Sequence, residues 1–225
     1  MRIGVFGASG VIGSRVVREA ERRDHEVTAI ARDAARLPDD LGARRVVADW
    51  LDADGIAAAI AELDVVISAV NVGHGIADTI AHADDFVAGA HAMVAALHRH
   101  PGVRLVVVGG GGSLEVAPGL QLVDTGAAFT EVLTERLGVP AEYRAVVLAL
   151  REALDVYRRS NRNWTYLSPS SGLVEPGERT GRYRVGGDQL LSGDADISAE
   201  DLAVALLDEV EGARFVQRRF TVAAA

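Results

Sequence analysis

The sequence has no cysteine, which removes disulfides, thiolate metal sites and cysteine nucleophiles together. Lysine is missing as well: all 23 of the Lys and Arg positions are arginine. Phosphate-binding lysines of the Walker type, Schiff-base lysines and lysine acid–base catalysts are thereby excluded. No apolar run approaches the ~20 residues that span a bilayer. The opening Met1–Phe6 stretch lacks the longer apolar core and small-residue cleavage site of a secretory signal. Basic charge is scarce relative to acidic, leaving a formal net charge of −9. Such a surface repels phosphate backbones and anionic headgroups, so nucleic acid and membranes are poor partners. The expected partner is a small molecule and the expected compartment the cytoplasm. Oligomeric state is left unassigned.

What is present is a regular alternation of apolar runs and helical stripes. Strands are expected at Met1–Phe6, His25–Ala31, Ala43–Ala48, Leu63–Val70, Val103–Gly109 and Asn163–Pro169. The continuous Val65-Val66-Ile67 centre suits a strand covered on both faces. Helical segments are expected near 33–41, 53–61 and 76–99, and Tyr143, Val146, Val147, Leu150, Leu154 and Tyr157 form an i, i+3, i+4 stripe on one long helix. Ser198 with Asp201 three residues on is a variant capping box opening a further helix, and Arg214–Val222 offers an edge strand. Strands separated by helices imply βαβ units and a parallel sheet.

Gly109–Ser113 has the composition of a flexible linker. The segment after it holds one or two strands and two main helices, too little for a separate α/β domain. The expectation is therefore a single α/β domain over 1–225: a Rossmann-like, doubly wound parallel sheet of about six to seven strands, with the part from about 163 to 225 completing the sheet and contributing to the substrate site.

The segment joining the first strand to the first helix is GASGVIG, that is Gly7, Ala8, Ser9, Gly10, Val11, Ile12 and Gly13. Gly7 permits a tight turn, Gly10 lets the backbone approach a pyrophosphate, and Gly13 lets the helix pack on the strand. The helix N-terminus presents unpaired N–H groups and a positive dipole end to an anion, with Ser9 adding a hydroxyl. In dinucleotide-binding folds an acid at the end of the second strand selects NAD through the ribose 2′-hydroxyl. Here Ala31 takes that place and Arg32 follows, a group suited to pair with a 2′-phosphate. Asp33, one or two places on, remains an alternative ribose ligand. NADP(H) is thus preferred and NAD(H) stays open. Asp49 after the third strand is placed to bond the adenine amino group, or else to cap the next helix, a job for which Asp52 is better placed. Trp50 lies beside it. His74, His82, His91, His98 and His100 invite a metal reading, but no pair of them has the i, i+4 spacing of helical ligands, and no metal site is expected. Glu175–Arg184, rich in glycine and mixed charge, is read as a loop beside the substrate site or as a plain surface turn.

These segments resemble the atypical branch of the short-chain dehydrogenase/reductase superfamily, the NAD(P)H-binding proteins grouped with NmrA-like proteins and biliverdin reductase B-like flavin reductases. GASGVIG, VVVGGGGSLEV, Trp164–Leu191 and Asp196–Val210 carry the likeness, which covers nearly the whole chain. The resemblance implies a strand order 3-2-1-4-5-6-7. It also implies a nicotinamide site near Ala69, Val70 and Asn71, near Gly109, Gly110 and Ser113, and near Pro169, Ser170 and Ser171. The superfamily's Tyr-x-x-x-Lys pair cannot exist in a chain without lysine. Ser113 stands where the catalytic serine of the superfamily falls, as an orienting donor or as a loop serine. Tyr143 is the reserve proton donor or a packing residue. Two functions follow as expectations: NADPH-dependent hydride transfer to a flat conjugated acceptor such as a flavin or quinone, or a non-catalytic NADP(H) sensor of the NmrA kind.

Overall fold

The structure is a computed structural model that describes residues 1–37, 41–193 and 195–225. The first half alternates strand and helix: β1 (Arg2–Phe6), α1 (Val11–Arg22), β2 (Glu26–Ala31), β3 (Arg44–Val47), α2 (Ala53–Ile60), β4 (Val65–Ser68), α3 (Ile76–Ala81), α4 (Asp85–Arg99) and β5 (Arg104–Val108). A short hairpin, β6 (Glu115–Ala117) with β7 (Leu120–Gln121), and α5 (Ala127–Glu131) follow. The second half holds α6 (Arg144–Arg159), β8 (Trp164–Pro169), β9 (Val174–Glu175), β10 (Tyr183–Gly186), β11 (Ile197–Ser198), α7 (Ala199–Gly212) and β12 (Arg218–Ala224).

Eight strands make one sheet in the order β10-β12-β8-β5-β4-β1-β2-β3. Every pairing in it is parallel except β10 with β12. Period-two alternation assigns side chains to two layers. On β4, Val65 and Ile67 join α1 and α7, while Val66 faces the opposite layer of α2, α4 and α6. On β5, Val106 goes to the first layer and Leu105 and Val107 to the second. Both faces are covered, as a parallel sheet requires. This is a Rossmann-like α/β architecture. A satellite core of Leu122, Val123, Phe129, Leu133 and Val147 lies over the start of α6.

The elements depart from expectation in four places. The helix expected near 33–41 is only a single 3₁₀ turn, Ala34–Arg36, capped by Asp33 accepting from the Ala35 amide at 2.9 Å; positions 38–40 of that segment lie outside the described residues. The expected 76–99 helix is two helices, α3 and α4, separated at His82–Asp84. β12 is an internal strand rather than an edge, because β10 adds an antiparallel strand outside it. Finally, the 175–182 loop is not beside the strand ends that bear the cofactor motif. It is strapped to the outer face of α1 and α7: Arg179 makes two 2.8 Å bonds to Glu19, Gly177 N–H donates to Glu200, and Thr180 and the Gly181 amide donate to Asp201.

That strap has a pH signature. Glu19 is buried, and bonds from Arg179 foremost hold its carboxyl below the ordinary glutamate range against the opposing cost of burial. A lowered folded-state value stabilises the fold above the unfolded value of about 4.3 and is lost as pH falls through the folded one. Glu19→Gln is expected to melt several degrees below wild type at neutral pH, with the gap narrowing as pH falls below about 4. Thermal melts across that window check it; a gap independent of pH excludes the carboxylate as its source.

Candidate dinucleotide-binding site

The site forms where three strand ends release the chain. Gly7 leaves β1 with φ of 76°, a left-handed conformation open to glycine. A Cβ there would lie 2.4 Å from the Ala69 carbonyl oxygen at the end of β4. Gly13 meets the same turn from the helix side, where a Cβ would stand 2.1 Å from the Gly7 carbonyl. Neither contact can relax, because both partners are backbone. Gly10 is the N-cap of α1, with no side-chain hydrogen bond to the first turn and no acid within it. The first N–H groups of a 12-residue helix therefore have no partner among the described residues. They are available to an anion favoured by the dipole.

A cleft of 770 Å³ opens in front of that terminus. Its floor is Phe6, Gly7, Ser9, Gly10, Val11 and Ile12. One wall is Ala31, Arg32, Asp33 and Arg36 after β2, backed by Ala48 and Trp50 after β3; the other is Ala69–Asn71 and Gly73–Gly75 after β4. The size and the mixture of apolar walls with few polar groups suit part of a dinucleotide. Arg32 is exposed on its wall, and no ion pair holds it among the described residues. Asp33 spends one oxygen on its own turn.

The expected residues fall into three groups. Gly7, Ser9, Gly10, Val11, Ile12, Arg32, Trp50, Ala69, Val70 and Asn71 meet in the cleft. Ala8 is fully buried beneath it and Gly13 packs behind it. Asp49 does not line the cleft: its carboxylate accepts from the Leu51 amide at 3.0 Å, while Asp52 caps α2 through the Asp54 amide. The third group, Gly109, Gly110 and Ser113 with Pro169, Ser170 and Ser171, lies along the same edge of the sheet, outside the cleft. Its two segments pack on each other, since a Cβ on Gly111 would lie 2.4 Å from the Pro169 carbonyl.

Close packing explains the glycine run in this last group. Its missing side chains do not leave open space. A Cβ on Gly109 would strike the Tyr166 ring at 1.9 Å, and one on Gly112 would meet Val147 at 2.4 Å. Tyr166 donates to the Leu150 carbonyl at 3.2 Å, and burial raises its phenol far above the ordinary range. Beneath the loop, Arg219 donates to both the carbonyl (3.0 Å) and the hydroxyl (2.9 Å) of Ser113, and pairs with Asp188. Ser113 is buried. Ser170 is also buried, with its hydroxyl accepting from the Leu191 amide at 3.3 Å. Tyr143 is the residue before α6, and burial raises its hydroxyl above the ordinary value; it stays protonated at neutral pH.

Sequence reasoning missed Arg36 and His74. Arg36 looked like a surface position of a helix that is really one turn, and His74 like one of several histidines without ligand spacing. Both line the cleft, with Arg36 nitrogens 3.3–3.4 Å from the His74 ring.

Residues 7–212 match the NAD(P)H-binding family. The chain belongs to that family and carries an NAD(P)H-binding oxidoreductase fold. A solved protein of Burkholderia pseudomallei, provisionally named an exported protein, is 42% identical with a TM-score of 0.80, the match covering 99% of each chain. One from Bacteroides thetaiotaomicron, provisionally named an epimerase, is 32% identical over 99% of this chain and 96% of its own, TM-score 0.81. One from Streptococcus pneumoniae, provisionally named an NADH-flavin reductase, is 27% identical over the full length of both, TM-score 0.80. Among the described residues no helix is long and apolar enough to cross a membrane.

Proposed function

We propose that the protein is an NADPH-dependent reductase of flat, conjugated acceptors such as flavins or quinones. The observation that carries this reading is the uncapped N-terminus of α1 facing a cleft whose wall holds Arg32 with no carboxylate partner among the described residues. The bound dinucleotide supplies hydride. The α1 amides and Ser9 hold its pyrophosphate, and Arg32 meets the 2′-phosphate. The segments Gly109–Ser113 and Pro169–Ser171 form the platform against which the acceptor is oriented, which gives the C-terminal part of the single domain its share of the site. Tyr143, neutral at working pH, donates a hydrogen bond. Ser113 accepts from Arg219 and keeps its own proton to donate.

The absence of lysine supports this acceptor class. Burial raises all four tyrosines away from working pH, so an isolated carbonyl would receive hydride without a ready proton source. A delocalised acceptor spreads the charge and takes its proton from water, so orientation supplies much of the rate. Epimerase chemistry on a sugar nucleotide needs the same acid–base tyrosine, despite the name given to the Bacteroides neighbour. A cytoplasmic setting, where NADPH is kept reduced, belongs to the same reading. A second reading, an NADP(H) sensor that binds without turnover, is favoured by the burial of Ser113 against Arg219.

Loss of nicotinamide absorbance with NADPH and flavin or quinone acceptors tests the first reading; consumption no faster than a protein-free control, with NADPH bound, leaves the sensor. Arg32→Ala is expected to weaken NADPH about tenfold or more, the size of a lost charge-assisted contact, with NADH little changed. Titrations with both cofactors measure this, and equal losses would show that Arg32 does not read the 2′-phosphate.

A further inference from the structure

The walls of the cleft touch at one place. Nη1 of Arg36 lies 3.4 Å from Nδ1 and 3.3 Å from Nε2 of His74, and Nη2 lies 3.4 Å from Nδ1. A nitrogen equally far from both ring nitrogens, approaching in the ring plane, would collide with the carbon between them. The guanidinium therefore sits over the imidazole face with N–H groups of Nη1 and Nη2 turned toward the ring. The Arg36 Nε has no partner among the described residues and remains to donate elsewhere, whereas bidentate pairing with a carboxylate would consume it.

The platform is fixed independently of Arg36. The His74 amide donates to Asp78 at 2.8 Å, and Asn71 Nδ2 donates to the Gly73 carbonyl at 2.9 Å and to Thr79 Oγ1 at 3.1 Å. Gly73 is wedged so tightly that a Cβ would lie 2.3 Å from the Thr79 amide nitrogen. The arginine has also avoided the commoner partner. In a chain with 32 acidic residues, Arg2, Arg15, Arg23, Arg99, Arg151 and Arg179 all bond carboxylates. Arg36 has none among the described residues. It stands with Arg32 on the same wall of the cleft.

We propose that His74 is a specificity-determining positioning residue. Its ring face holds the Arg36 guanidinium across the mouth of the cleft, so that Arg36 and Arg32 together receive the 2′-phosphate of NADP(H). This rests on the NADPH reading given above. The platform costs the ligand nothing to organise, and its benefit passes wholly through Arg36, so NADH, lacking the phosphate, gains nothing from it.

The test is a set of dissociation constants for NADPH and NADH, read by quenching of tryptophan fluorescence, with Trp50 in the cleft wall as reporter. His74→Ala is expected to weaken NADPH about three- to fivefold, the scale of an exposed cation–π contact, and to leave NADH unchanged. His74→Phe, which keeps a ring face, restores NADPH affinity. In an Arg36→Ala background, itself about tenfold weaker for NADPH, His74→Ala has no further effect, the mark of one residue acting through another. Equal losses for both cofactors, no rescue by phenylalanine, or an undiminished effect without Arg36 would each overturn the proposal. A wild-type protein with no preference between the cofactors overturns the NADPH reading itself. A wild-type preference that His74→Ala leaves intact overturns the role of His74 alone.

Discussion

Glu209→Ala is expected to destabilise the protein by about 3–5 kcal/mol, the cost of breaking a buried ion pair and stranding its partner. Glu209 is fully buried and Arg104 nearly so. The two are joined directly, and Arg104 also donates to the Glu209 carbonyl (2.9 Å), the Val210 carbonyl (3.2 Å) and Thr165 Oγ1 (2.9 Å). The carboxylate meanwhile accepts from the amides of Arg214 at 3.1 Å and Phe215 at 3.0 Å. One side chain thus closes the C-terminal end of α7, fixes the turn through Ala213 (φ 47°) that leads into β12, and anchors both to the starts of β5 and β8. Without it a guanidinium is left in the interior with its charge unanswered. For a chain of this length each kcal/mol shifts the melting temperature by roughly 2–4 °C, so a fall of about 10 °C is expected by calorimetry, with a lower urea midpoint and an unchanged m-value. Replacing both residues by methionine is expected to cost less than Glu209→Ala alone, since an apolar pair strands no charge. A single-variant loss under about 1 kcal/mol would show that the pair is not what secures this end of the sheet.

Arg104 and Glu209 also mark where a sequence stops being legible. The parallel core could be read directly, because Val65-Val66-Ile67 and Leu105-Val106-Val107 are too apolar for anything but a strand covered on both sides. GASGVIG could be read because part of what its glycines answer to is local, the positive φ of Gly7 and the close approach of Gly13 to the Gly7 carbonyl six residues back, although Gly7 also abuts Ala69 from the end of β4. β10 could not: Tyr183-Arg184-Val185-Gly186 has too few apolar residues to stand out from a loop, and it is a strand only because β12 offers an edge. The α3–α4 break carries no proline or glycine at His82–Asp84 to announce it. Gly109 and Gly112 were legible as a loop but not in purpose, since what forbids a side chain there is Tyr166 and Val147, dozens of residues away. Arg219 stands between Arg218 and Phe220 with nothing to distinguish it from a solvated residue, yet it is buried and holds the Ser113 loop from below. Arg36 and His74 belong to the same class, a contact made only when two strand ends lie side by side.

Gly89→Ala should reverse the usual helix rule and damage cofactor binding as well. Inside a helix, alanine is ordinarily favoured over glycine by up to about 1 kcal/mol. Gly89 lies within α4, where a Cβ would stand 1.6 Å from Trp50 Nε1 and 2.1 Å from its Cδ1. The indole cannot slide along its pocket, because Phe6 meets it edge-on at 5.7 Å between ring centroids. The ring also lines the cleft, so a shift away from α4 can carry it into that space. Overpacking of this kind costs about 1–3 kcal/mol, more than the helix gains, so the variant is expected to melt several degrees lower. The displaced ring occupies room meant for the nucleotide, and affinity for NADPH and NADH should fall together. That parallel loss separates this substitution from Arg32→Ala and His74→Ala, for which a loss with NADPH alone is expected. Adding Trp50→Leu to Gly89→Ala should recover much of the lost stability, since leucine vacates the space the new methyl needs. A Gly89→Ala protein that melted higher than wild type, with both cofactors still bound normally, would mean that α4 and the indole have slack between them and that this wall of the cleft is not fixed by their contact.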